Sequence, residues 1–135
     1  MFSFTTRSRY GLSAVLEMAN HYGNAPLQVR EIAAKHKISP QYLEQLLGRL
    51  TKPGLIRAVR GQKGGFVLAR PPQELSLIEV LEALEGPLAI ADSMPQDDVM
   101  MNYAKQVEAT IRRVLDVSLA DVLAQKRSCA VMFHI

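Results

Sequence analysis

The sequence predicts a mainly α-helical chain interrupted by one short β-hairpin, and three observations predict it. Apolar residues recur at helical spacing through most of the 135 residues. Turn formers punctuate those stretches at Gly23-Asn24-Ala25-Pro26, Ile38-Ser39-Pro40, Lys52-Pro53-Gly54 and Pro71-Pro72. Only LIRAVR and GGFVLAR read as strands, and they flank the glycine-rich segment Gly61-Gln62-Lys63-Gly64-Gly65.

Taken in order, residues 9–22 place Tyr10, Leu12, Val15, Leu16, Met18, Ala19 and Tyr22 on a helix. VREIAAKHK follows as a short helix with Val29, Ile32 and Ala33 inward. Ser39 suits an N-cap and Pro40 the first helical position, so a third helix runs through QYLEQLLGRLT with Leu43, Leu46, Leu47 and Leu50 as its buried stripe. After the hairpin, Ser76 and Glu79 have capping-box spacing and open SLIEVLEALE. Residues 86–97 read as a loop. The longest helical pattern, from about Val99 to Val117, carries Tyr103, Val107, Ile111 and Val114 on one side. A short helix, SLADVLAQ, and an apolar tail close the sequence.

Composition narrows the function. Hydrophobic residues at 48% and charged residues at 21% argue against disorder. A single cysteine, Cys129, rules out a disulfide framework and any site needing several thiolates from one chain. The sequence shows no secretory signal and no apolar run of transmembrane length, so a cytoplasmic protein without membrane contact is expected. The net charge of +3 conceals an asymmetry. Residues 1–72 hold eleven Lys/Arg against Glu17, Glu31 and Glu44, whereas residues 73–135 hold five against ten acidic residues. A module at +8 joined to one at −5 points to a polyanionic partner for the first half, beyond mere solvation of helix faces.

Three helices followed by a two-stranded hairpin make a winged helix-turn-helix, here with a long C-terminal helix suited to dimerisation. In such a fold the third helix enters the major groove of double-stranded DNA and the wing reaches an adjacent groove. The leucine stripe leaves Gln41, Tyr42, Glu44, Gln45 and Arg49 for the opposite face, where amides pair with adenine, a carboxylate with cytosine and arginine with guanine or phosphate. Arg60, Gln62 and Lys63 lie on the wing, among glycines expected to let its backbone approach DNA closely. Arg9, Arg30 and Ser39 complete the DNA-facing candidates. The apolar stripe Tyr103, Val107, Ile111 and Val114 exceeds what one small domain needs and predicts a homodimer, matching a two-fold operator. A protein-binding winged domain is the plain alternative; the basic wing argues against it. No nucleophile–base pair, phosphate loop or paired metal ligands suggest an enzyme, and isolated His21 and His36 read as packed or surface histidines.

RYGLSAVLEMA, ISPQYLEQLLGRL, KPGLIRAVRGQKGGFVLARPP and SLIEVLEALEG resemble the Rrf2 family of bacterial winged-helix repressors, over nearly the whole chain. The resemblance implies a homodimer joined by a long helix, here about residues 96–117, and a pseudo-palindromic operator. It implies that Gln41, Tyr42 and Glu44 lie at the major groove and that Arg60 enters the minor groove. Iron–sulfur members of the family hold their cluster through three cysteines in the loop matching residues 86–97, which has none here, so no cofactor is expected. LEGP, V.DVSLADVL and the ending MFHI are similar to the cluster-free, CymR-type branch, which regulates cysteine metabolism. That likeness implies a complex with O-acetylserine sulfhydrylase, whose active site accepts a C-terminal isoleucine carboxylate; Met132, Phe133, His134 and Ile135 are then the partner-binding residues. On the residues alone the tail has an alternative, packing back on the dimer. Sensing of a small ligand, or oxidation at Cys129, also stays open as the signal. The expected organisation is a DNA-binding unit over 1–85, a loop over 86–97, a dimerisation helix and short following helix over 98–127, and the tail over 128–135.

Overall fold

A computed structural model describes residues 2–92 and 94–133, with side-chain surroundings given as far as Ser128. Helix α1 spans Thr6–Asn20, α2 Val29–His36 and α3 Pro40–Thr51. Strands β1 (Ile56–Val59) and β2 (Gly65–Leu68) follow, then a 3-10 turn at Pro72–Glu74, α4 (Leu77–Glu85), α5 (Val99–Leu115) and α6 (Leu119–Phe133). This is the winged helix-turn-helix with a two-stranded wing and a long helix after it.

Local chemistry sets the helix starts. The Ser39 hydroxyl accepts from the Tyr42 amide at 3.1 Å and Pro40 sits in the first turn, as the sequence predicts. Ser76 and Glu79 close the expected capping box at the head of α4. Helix α1 begins three residues before Arg9 because Thr5 forms a capping box of its own. Its hydroxyl accepts from the Arg7 amide at 3.1 Å, and its amide donates to Ser8 Oγ at 2.9 Å.

The main core lies where α1, α3 and α4 meet. The leucine stripe of α3 is fully buried there against Val15, Met18, Val80 and Leu84. Close packing is required at Gly11, where a Cβ would stand 2.5 Å from Leu84 Cδ1. The wing is antiparallel, with Ile56 opposite Leu68 and Val59 opposite Gly65. Its second strand is fastened to the α1–α2 connection: the Leu27 amide donates to Phe66 O at 3.1 Å and the Phe66 amide to Leu27 O at 2.8 Å.

A smaller cluster of Ile78, Leu81, Leu88 and Leu115, with Ile111 packed against it, joins α5 to α4. Helix α5 ends at Leu115 so that the Val117 carbonyl can accept from the Leu77 amide and the Leu119 amide can reach Leu75 O, each at 2.8 Å. Leu119 is then driven fully into the main core. Helix α6 outruns the expected SLADVLAQ and continues to Phe133. After Gln125 the segment KRSCAVMF contains neither proline nor glycine, so nothing in it stops a helix.

Candidate nucleic-acid interface

The helix-turn-helix is closed by a sharp reversal after α2. Lys37 caps that helix in the left-handed conformation, φ 56° and ψ 45°, and the Ile38 amide turns back to Ala33 O at 2.9 Å. Ile38 drops into the core, Ser39 becomes the cap of α3, and the two helices are fixed relative to each other through buried contacts.

Helix α3 then divides cleanly. At about 100° per residue, Gln41, Glu44, Gln45 and Gly48 fall on the strip opposite the leucines, and all four are exposed. Nothing lies within 4 Å of a Cβ built on Gly48, so the strip is flat enough there for a nucleic-acid surface to approach. Gly48 escapes a search for polar side chains; its position on the wheel is the signal that finds it. Tyr42 stands at the flank, half-buried, its ring edge-on to Tyr10 at 6.3 Å and 84°. Arg49 is set apart from the strip: its Nη1 donates to Leu84 O at 3.0 Å, satisfying a carbonyl near the end of α4. Arg9 is exposed on α1, and Arg30 at the start of α2 donates to Gln28 Oε1 at 3.0 Å.

Arg60, Gln62 and Lys63 are exposed at the wing tip. The expectation that the wing's glycines serve approach to DNA needs correcting for two of the three. A Cβ on Gly64 would sit 2.2 Å from Val59 O, and one on Gly65 2.3 Å from Leu27 O. Both are demanded by the chain's own backbone. Gly61, at φ 114° with open space around it, is needed for the turn.

Ion pairing sharpens the charge asymmetry. Of the eleven basic residues in 1–72, Arg7 pairs with Glu85 at 2.8 Å, Lys35 with Glu17 at 2.7 Å and Arg70 with Glu79 at 3.2 Å. Among the described residues the other eight, Arg9, Arg30, Lys37, Arg49, Lys52, Arg57, Arg60 and Lys63, have no carboxylate within 4.0 Å. Two of the carboxylates, Glu17 and Glu85, are turned to structural use. Glu17 is buried, a placement that on its own raises a carboxyl pKa, yet Lys35 and His36 hold it below the ordinary range. Glu85 is buried likewise, and hydrogen bonds from Thr5, Arg7 and Ser8 outweigh burial and lower it. The Arg7–Glu85 pair ties the start of α1 to the end of α4 across 78 residues, a separation no local pattern reveals.

Helix α5 carries the other exposed feature. Tyr103 is 59% exposed, Val107 48% and Val114 63%, joined by Val99 and Met100. These residues share one stripe, while Ala104 and Leu115 face the fold. Ile111 sits at the border, half-buried against the small cluster, so its surface is partly used within the chain.

Met132, Phe133, His134 and Ile135 lie outside the residues whose side chains are described, as does Cys129. Among the described residues, a cleft of about 310 Å³ lies between the end of α1 and β2, lined by His21, Tyr22, Leu27, Arg57 and Phe66 among others. No helix among the described residues is long and apolar enough to cross a membrane.

A family model described as Rrf2, iron-dependent transcriptional regulator, matches residues 4–126. The transcriptional regulator CymR of Bacillus subtilis is 30% identical over 121 residues, 89% of this chain and 88% of its own. The solved structure of CymR, the global cysteine regulator of B. subtilis, is similar with a TM-score of 0.81 at 28% identity, covering 93% of this chain and 98% of that one. IscR of T. potens is similar with a TM-score of 0.76 at 35% identity, covering 92% and 88%. These relatives are transcriptional regulators and not enzymes. The iron in the family's description does not fit the donors present. The loop between α4 and α5 lacks cysteine, the chain has one thiol, and among the described residues no three His, Cys, Asp or Glu are grouped to hold a metal.

Proposed function

We propose that this chain, which belongs to the Rrf2 family of transcriptional regulators, binds a pseudo-palindromic operator as a homodimer, with α3 in the major groove and the wing tip in the adjacent minor groove. The observation that carries this reading is the pairing of an exposed Gln41–Glu44–Gln45 strip with eight cations that, among the described residues, have no carboxylate partner in the same half of the chain or elsewhere. Gln41 and Gln45 read adenine, Glu44 accepts from cytosine, and Arg60 enters the minor groove. Lys63 and Arg9 hold the phosphate backbone, which fixes register without reading sequence. The exposed apolar stripe of α5 is the dimer face; pairing it about a two-fold axis sets two α3 helices one turn of DNA apart.

The signal is sulfur supply. The likeness to CymR, the global cysteine regulator of B. subtilis, supports repression of cysteine and sulfur genes. The ending MFHI supports a complex with O-acetylserine sulfhydrylase in which residues 132–135 enter that enzyme's active site. O-acetylserine then competes for the same site and loosens the complex. Linkage lets the enzyme raise operator affinity only by binding the DNA-competent dimer better than the other form.

Selection of duplexes from a random pool by the purified protein tests the DNA reading: a two-fold symmetric motif with half-sites about 10 base pairs apart is expected, and binding without sequence preference would refute it. For the partner, the chain lacking residues 132–135 should no longer capture O-acetylserine sulfhydrylase yet keep its operator affinity. Capture unchanged by the truncation would refute the docking.

A further inference from the structure

Lys37 is the one described residue other than glycine with positive φ. The turn needs that conformation, because only a left-handed residue after α2 returns the Ile38 amide to Ala33 O and delivers Ser39 to the head of α3. It does not need a lysine. In the left-handed region an L side chain crowds its own carbonyl, and glycine or asparagine takes such caps more readily. A residue held in a disfavoured conformation points to a use for its side chain.

Among the described residues that side chain has no ion-pair partner. Lys37 is exposed, and no carboxylate lies within 4.0 Å of it, in contrast to Lys35, held at 2.7 Å by Glu17. Its place is decisive: two residues before the Ser39 cap, it stands at the mouth of the helix that opens with exposed Pro40 and Gln41. With α3 in a groove, a flexible four-carbon stem at that position would be long enough to bring an ammonium to a bordering phosphate as a point charge.

We propose that Lys37 is a DNA-backbone contact, pairing with a phosphate at the edge of the major groove and fixing how deeply α3 enters it. This rests on the DNA-binding reading above and adds a residue to it. A cation at the end of α2 also complements the helix dipole, so the test needs a readout that helix capping leaves unmoved.

The full-length protein and its Lys37→Gly, Lys37→Asn and Lys37→Arg variants are compared for melting temperature and for affinity to the selected operator across a salt series. Glycine and asparagine should melt at or above the wild-type temperature yet bind roughly tenfold more weakly, with the loss equal on operator and random duplex. Their log–log salt slope should fall by about 2 per dimer, one released counterion per subunit. Arginine should keep the wild-type slope. Wild-type affinity and slope in the glycine and asparagine variants would overturn the proposal while leaving the DNA-binding reading intact. So would loss of affinity in all three variants together with a lower melting temperature, since the turn and not the charge would then matter. Absence of salt-dependent duplex binding by the wild type would overturn both.

Discussion

Gly65→Ala is the sharpest probe of how the wing is held. A methyl group at that position would stand 2.3 Å from Leu27 O and 2.6 Å from its carbonyl carbon, backbone atoms that no rotamer change can move. Ordinary contact needs about 1 Å more, and a shift of that size breaks both hydrogen bonds between Leu27 and Phe66, now 3.1 and 2.8 Å. Each contributes a net ~1 kcal/mol. Loosening Phe66 and Leu27, both packed on the main core, adds on the order of 1 kcal/mol. The expected loss is therefore about 2–3 kcal/mol, a fall in melting temperature of roughly 6–12 °C for a chain of this size. Denaturant unfolding followed by circular dichroism measures the first and thermal unfolding the second. Affinity for the operator should fall as well, because β2 positions the Arg60–Lys63 tip. Stability within about 0.5 kcal/mol of wild type, the spread of a neutral surface change, would refute the reasoning and mean that the wing is not fastened through Leu27.

Other predictions concern the dimer face, the buried carboxylates and base readout. Replacing Val107 and Val114 together with glutamate should weaken self-association at least 100-fold, read by sedimentation, while leaving the unfolding of the monomer near wild type. Glu85→Ala should cost about 1–3 kcal/mol, since it strips the Thr5 hydroxyl and the Arg7 guanidinium of an acceptor and leaves the Thr5 amide with Ser8 Oγ alone. Glu85, Glu17 and Glu79 are all held below the ordinary 4.5. Each therefore contributes stability that is present above that pH and is lost as pH falls through the lowered value. Acid titration of stability should accordingly be shallower below about pH 4.5 in Glu85→Gln than in wild type. Glu44→Ala should change the preferred base at one position per half-site, each such discrimination being worth ~1–3 kcal/mol, and sequencing of selected duplexes detects it.

What could be read from the chain alone follows from the range of the forces involved. The leucine stripe of α3 and the caps at Ser39 and Ser76 are local: each depends on residues within one or two turns, and each is found where the pattern places it. The head of α1 was hidden because its capping box uses Ser8 where a glutamate would announce it. The extension of α6 past Gln125 needed no signal of its own, since KRSCAVMF holds neither proline nor glycine, and the apolar character of that stretch masked it as a tail. Arg7–Glu85, Arg49–Leu84 and Gly65–Leu27 are encounters between segments distant in sequence, and no periodicity encodes them. They also divide the basic residues, assigning Arg7 to the fold and leaving Arg60 and Lys63 free at the wing. The apolar stripe of α5 was legible as a stripe; that Ile111 turns partly inward depends on where Ile78 and Leu88 come to lie.

In the proposed complex two copies of α3, set by the α5 face, read two half-sites of one duplex. Binding stoichiometry on the selected operator, measured by analytical ultracentrifugation with labelled DNA, tests it most directly. Two chains per duplex are expected, assembled together, with an affinity that falls steeply as salt rises and is lost when about five base pairs, half a turn of the helix, are inserted between the half-sites. One chain bound per duplex at full affinity, or binding indifferent to that spacing, would contradict it.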